Sequence, residues 1–386
     1  MSSESAKDAD RNLLVAALRP RPDAFVDLLS DNGGRDWQWI LERAAAHKVD
    51  ALLAGRVEAA GVQADVPGEV RERLRAARAR AQARHTQALR DLEDVDRCFE
   101  RAGISYFLVK GPLLAQIYDD PAQRYFFDLD VVVPEAQVDA AQAALEGLGY
   151  RLWGGDRYLG FAPPGTAALA RATRVMRKSL KRFAHELAFV TDDRSRIPID
   201  LHWHLMPRGR IRADSVGRIW EGTATARVGG IDVRALDAEA TLLFLAMHAW
   251  SNRPWSFALL HLCDVAWALD RLPVNAGRLI ELAALWGGGG GLARALYAVE
   301  HVLGVKLPPE LQAERGLPAP PERFRRMATA AALLDHQARP APGGWARRQQ
   351  EIEWALAMGT TRSTALLLLG KYAAVIHYGA ARLVAR

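Results

Sequence analysis

The chain carries only two cysteines, Cys98 and Cys263, in 386 residues. Two thiols so far apart exclude a disulfide framework and a cysteine-ligated zinc ribbon, and they suit a reducing compartment. A membrane-spanning run is also missing. The most apolar segment, "TALLLLGKYAAVIHYGAARLVAR" near the C-terminus, is interrupted by Lys371 and His377 before it reaches the roughly 18 apolar residues a span needs. A packed terminal helix is expected there, with attachment to a membrane surface as the alternative and no stable membrane insertion. The N-terminus, "MSSESAKDADRNLL", is polar and acidic and lacks the regions of a signal peptide, so a cytoplasmic location is expected. No internal repeat is evident. The glycine run of "WGGGGGLARAL" lacks the Lys-Ser/Thr of a phosphate loop and follows a helical pattern instead of a strand, which makes it a helix connection.

What is present is ordinary globular composition, 50% apolar and 25% charged, on a chain long enough for two or three domains. The formal charge is +6 and is carried more by arginine than by lysine. Such a balance fits an anionic partner such as a nucleotide, phosphate or nucleic acid, and it is equally what a GC-rich codon bias produces.

Periodicity divides the chain in three. Residues 1–95 read as helices, with Asp36 a natural N-cap before "WQWILERAAA" and a long charged helix closed by Gly103. Residues 96–235 mix strands and helices. "ISYFLV" and "FFDLDVVV" read as strands, "PLLAQIY" and "PEAQVDAAQAALEGLG" as helices, and "AHELAFVTDD" and "IPIDLHWHL" as two strands around a polar turn. Helical spacing returns over 236–386.

The unusual residues lie in the middle region. In the strand "FFDLDVVV", Asp128 and Asp130 share a face, and two carboxylates side by side among apolar neighbours need positive charge between them. "VKG", at Val109 to Gly111, ends a strand and opens a helix, a place that favours an anion, with Lys110 beside it. Arg124 precedes the acids, and "IDLHW" supplies a later in-strand acid, Asp200. Magnesium takes hard oxygen ligands, and paired acids hold the ions that clamp an in-line phosphoryl displacement. The layout is that of a metal-dependent nucleotidyltransferase. Asp128, Asp130 and Asp200 are the expected metal ligands and catalytic acids, while Lys110, Gly111 and Arg124 are the expected phosphate contacts.

The ordered set Lys110, Gly111, Tyr118, Arg124, Asp128, Asp130, His185, Glu186, Asp200, His202 and Trp203 resembles the pattern of uncharacterised bacterial nucleotidyltransferases within the DNA polymerase β-like superfamily. The flanks "WILERAAAHKVDALL" and "TLLFLAMHAW…LLHLCDVAWAL" are similar to that family's helical stretches. The resemblance implies an α+β fold, a central polymerase-β-like mixed sheet flanked by N- and C-terminal helical regions. It implies transfer of a nucleoside monophosphate from an NTP to an acceptor, with Mg2+ or Mn2+ and release of pyrophosphate. The acceptor class stays open among small molecule, peptide, protein and RNA. The superfamily's glycine is usually followed by Gly or Ser, whereas this chain has Pro112, which offers no N–H to a phosphate.

Several readings stand beside this one. A non-catalytic member would use the same fold to bind a nucleotide or a protein. A metal hydrolase would use Asp200, His202 and His204, which an uninterrupted strand places on one face. His202 otherwise orients Asp200 or a phosphate. His185 and Glu186, neighbours in a strand, are expected on opposite faces and so not in one site, each standing as a possible substrate or supporting residue. The basic stripe Arg171, Arg174, Lys178 and Lys181 is a solvated helix face or an anion-facing wall, with Arg174 and Lys178 its central members. His248 and Asp264 read as packing and capping residues, and the resemblance also implies a substrate-pocket role as the lesser alternative.

Overall fold

The computed structural model describes residues 3–21, 24–30, 34–61, 66–153, 185–192, 195–207, 209–249, 259–312 and 316–336. The basic stripe at 171–181 and the apolar C-terminal segment lie outside them. No described helix is long and apolar enough to cross a membrane. The chain divides into two units, each discontinuous in sequence. Among the described residues, one draws on 3–86, 114–126 and 237–336, and the other on 87–113 and 127–236.

The second unit is built on a mixed sheet of seven described strands: β1 Phe107–Val109, β2 Leu129–Val132, β3 Arg151–Leu152, β4 Glu186–Val190, β5 Ile199–His202, β6 Thr223–Val228 and β7 Ile231–Leu236. Their order is β3-β4-β5-β2-β1-β7-β6. Strands β2 and β5 run parallel, as do β1 and β7, and the other neighbours are antiparallel. Alternation divides the central strands into two faces. Leu129, Val131, Leu187, Phe189, Ile199 and Leu201 are buried and pair with one another across β2, β5 and β4, forming an apolar layer. The helix Val138–Gly147 buries Val138, Ala141 and Leu145, the one-sided spacing of an amphipathic helix. Strands β6 and β7 form a two-residue hairpin at Gly229-Gly230, both at positive φ (57° and 93°). Only glycine adopts that pair of conformations cheaply.

The first unit is helical among its described residues. Asp36 caps Trp37–Ala46, accepting the Trp39 N–H at 3.0 Å, and Asp237 caps Ala238–His248 through the Ala240 N–H at 2.9 Å. The glycine run has a packing role. Gly287 ends the helix Ala276–Trp286 in the left-handed region, φ 73°. A methyl on Gly288 would lie 2.6 Å from the Met247 sulfur, and one on Gly291 would lie 3.3 Å from the Met247 Cα. The glycines therefore let the helix Gly289–Leu303 approach Ala238–His248 closely.

The same unit explains why Leu114–Phe126 leaves the sheet region. Tyr118 Oη donates to Asp264 Oδ1 at 2.8 Å, and Arg124 donates through Nε at 2.7 Å and through a second nitrogen at 2.8 Å. All three residues are buried, and Tyr118 stacks on Trp267 with ring centroids 4.5 Å apart. A bidentate, buried arginine–carboxylate pair is among the stronger directional contacts available to a protein.

Candidate active site

The acids are assembled by strand register. Asp130 on β2 lies directly opposite Asp200 on its parallel neighbour β5. His202 follows Asp200 by two residues and so shares its face, and Glu186 on β4 lies opposite His202. The face turned away from the apolar layer thus carries Asp130, Asp200, His202 and Glu186. Asp128 is placed differently from expectation, because β2 begins at Leu129 and Asp128 sits in the bend before it. It remains electrostatically coupled to Asp200 and to Lys110.

Val109, the last residue of β1, pairs with Asp130, and the chain then turns sharply. Lys110 and Gly111 both adopt positive φ, 50° and 48°. For lysine this conformation costs about 1 kcal/mol, and such outliers gather at functional sites. The turn brings Lys110 Nζ to 2.7 Å from Asp130 Oδ1. At Gly111 a Cβ would meet the Asp128 carbonyl oxygen at 3.2 Å. The positive φ and the backbone's approach to Asp128 both favour glycine here, reasons independent of any phosphate.

The charges are uneven. Burial works against ionising Asp130, but Lys110 and the His202 hydrogen bond outweigh it and hold the carboxyl down at about 2. Lys110 is likewise desolvated, yet Asp130 and Asp128 raise it above the ordinary lysine range. Asp200 has only the charge of His202 to offset its own. Burial, then the negative charges of Asp128 and Asp130, push it up to about 7. The lysine satisfies one acid and leaves the cluster short of positive charge. Asp130, Asp200 and His202 offer ligand atoms within 4.8 Å of one another, and hard carboxylate oxygens are the donors that Mg2+ or Mn2+ takes. The donor set fits the cation, with Asp128 beside it.

Several expectations differ from what the structure places. His185 and Glu186 do meet: His185 Nε2 lies 3.3 Å from Glu186 Oε2. Strand β4 starts at Glu186, so His185 precedes the alternation that would have separated them. The hydrolase trio is not brought together, since β5 ends at His202 and His204, beyond it, lies 3.5 Å from Glu135. Arg124 forms the buried pair with Asp264 in the helical unit, so its guanidinium is engaged by a carboxylate instead of standing ready for phosphate. Asp264 is the buried acceptor of that pair, a role its spacing on an apolar helix does not reveal. His202 contacts Asp130, its Nε2 3.2 Å from Oδ1, where the sequence pointed to Asp200 or a phosphate. Arg174 and Lys178 lie outside the described residues.

No curated protein matches the chain. Among solved structures, the solution structure of the antibiotic-resistance factor ANT(2'')-Ia is similar over 50% of this chain and 87% of its own, at 13% identity and a TM-score of 0.31. A family model described as uncharacterised nucleotidyltransferase matches residues 33–304. That span covers well over half of the 386 residues, and it takes in every acid of the site, Lys110 and the Arg124–Asp264 pair: the chain belongs to the uncharacterised nucleotidyltransferase family.

Proposed function

We propose that the protein transfers a nucleoside monophosphate from an NTP to an acceptor, using Asp128, Asp130 and Asp200 to hold Mg2+ or Mn2+. The observation that carries this reading is the register of Asp130 with Asp200 on parallel neighbours, in a cluster where Asp200 is pushed up to about 7 by burial and by two other acids. A bound cation there would polarise the phosphate oxygens and stabilise the charge that builds on them. In the reaction the acceptor oxygen forms a bond to the α-phosphorus, the α–β bridging P–O bond breaks, and pyrophosphate departs. Asp200 completes the acid set and takes the acceptor's proton. Lys110 keeps Asp130 ionised and supplies fixed positive charge next to the turn at Gly111, where the phosphates are expected. Since Arg124 is engaged by Asp264, the remaining anion contacts fall to Lys110 and the backbone of that turn. A cytoplasmic location is kept as part of this proposal.

Calorimetry with each NTP tests it. Binding of at least one NTP is expected to require Mg2+ or Mn2+ and to vanish in Asp128→Asn/Asp130→Asn. Equal affinity without the cation, or in the double variant, overturns the reading.

A further inference from the structure

Beside the acid set lies a second group of different chemistry. Glu186 Oε2 stands 3.3 Å from His185 Nε2 and 3.2 Å from His202 Nδ1, and the three ligand atoms lie within 4.8 Å of one another. Bonds of about 2.0–2.1 Å around a tetrahedral ion set neighbouring ligand atoms about 3.3 Å apart. Two edges of this triangle have that length.

The state of His202 gives an independent sign. The residue is buried, 4% exposed, and its Nε2 bonds to Asp130. Its Nδ1 is buried and makes no hydrogen bond among the described residues, although Glu186 Oε2 is only 3.2 Å away. The contact has the distance of a hydrogen bond without its alignment. Positive charge between the ring and the carboxylate, either a proton on Nδ1 or a bound cation, is what makes a contact at that range favourable. Metal-ligating histidines, moreover, usually give their other nitrogen to a carboxylate, which orients the ring. Asp130 does that for His202.

We propose that His185, Glu186 and His202 form a second cation site, specific for a late transition-metal ion of the Zn2+ or Co2+ type and distinct from the oxygen-lined Mg2+ site. Two imidazoles and one carboxylate suit such ions, whereas Mg2+ prefers oxygen alone. Glu186 is 41% exposed at its side chain, which leaves an entry path. The site shares the Asp130–His202 contact with the acid cluster but needs neither Asp128 nor a nucleotide.

The test is Co2+ titration of tag-free, full-length protein, without nucleotide or Mg2+, followed by visible absorption and metal analysis. One equivalent should bind with d–d bands typical of nitrogen ligation. His185→Ala and Glu186→Gln should each weaken binding at this site at least tenfold and lose those bands, while Asp128→Asn, which alters only the acid set, should keep them. Should His185→Ala not fold, the isosteric Glu186→Gln on its half-exposed side chain decides the matter. Absence of saturable binding, parent-like binding in Glu186→Gln, or loss in Asp128→Asn equal to that in Glu186→Gln overturns the proposal. No NTP enters the measurement, so failure of the nucleotidyl-transfer reading leaves this result interpretable.

Discussion

The Arg124–Asp264 pair separates a structural arginine from a phosphate-binding one. Both side chains are almost fully buried, 4% and 1% exposed, and Arg124 meets both Asp264 oxygens at 2.7–2.8 Å. In Arg124→Met, Asp264 keeps only the Tyr118 hydroxyl among described donors. Removing one partner of a buried ion pair strands the other charge and costs about 3–5 kcal/mol. Replacing both by apolar residues of similar size removes that penalty. In Arg124→Met/Asp264→Leu the remaining cost is the unpaired Tyr118 hydroxyl, about 1–2 kcal/mol. Urea denaturation of the parent, both single variants and the double should therefore give strong positive coupling, with the double variant more stable than Arg124→Met. Calorimetry on the double variant then asks the functional question. If Arg124 is structural, NTP affinity stays within about twofold of the parent; if it grips phosphate, a lost charge-assisted contact costs at least about 1.5 kcal/mol, more than tenfold in affinity. A double variant as unstable as the sum of the singles would refute the stranded-charge argument. A stable double variant that no longer binds NTP would return Arg124 to the nucleotide.

Two further outcomes are expected. Asp200→Asn should cut pyrophosphate release by roughly 100-fold or more while largely sparing NTP affinity, because a group that takes the acceptor proton acts mainly in the transition state; comparable losses in affinity and turnover would show a ground-state role instead. His47 is fully buried and accepts the Leu259 N–H at 3.1 Å, and burial, aided by Arg43, holds it down at about 4 against an ordinary 6.5. A depressed folded value means its stabilisation is present above pH 6.5 and is lost as pH falls through about 4. The shift corresponds to about 3 kcal/mol. Relative to the parent, His47→Gln should gain about that much between pH 7.5 and 4 in urea denaturation, and parallel stability curves would refute the assignment.

Much of the architecture was legible where the chain is locally consistent. Strands β4 and β5 follow from alternation in "HELAFV" and "IPIDLH", and Asp36 and Gly103 mark helix ends through capping chemistry that acts over a few residues. The β6–β7 hairpin is absent from the strands expected from sequence, although "TATARVGGIDVRAL" alternates about a Gly-Gly pair. Other features were out of reach. Arg124 and Asp264 are 140 residues apart, and neither the apolar helix around Asp264 nor the loop around Arg124 states that the two will be partners. Strand ends were the other weak point. A single residue at the start of β4 turns His185 from the far face toward Glu186, and two residues at the end of β5 remove His204 from the trio that would have made a hydrolase.

Motifs list residue types in order, while the chemistry depends on register, and register is set by residues that carry no chemistry. Leu129 pairs with Ile199 and Val131 with Leu201, all four fully buried, on the face opposite the acids. A slip of one residue between β2 and β5 would pull these side chains out of the apolar layer, at about 1.5–3 kcal/mol each. The same slip would move Asp200 out of line with Asp130. Apolar burial therefore supplies the energy that keeps mutually repelling carboxylates together, and Lys110 at 2.7 Å from Asp130 neutralises one of them. Asp200, raised to about 7, is the carboxyl that arrangement leaves uncompensated. A cation bound there would relieve repulsion that folding has already overcome, which is why Asp200 is the acid expected to govern turnover.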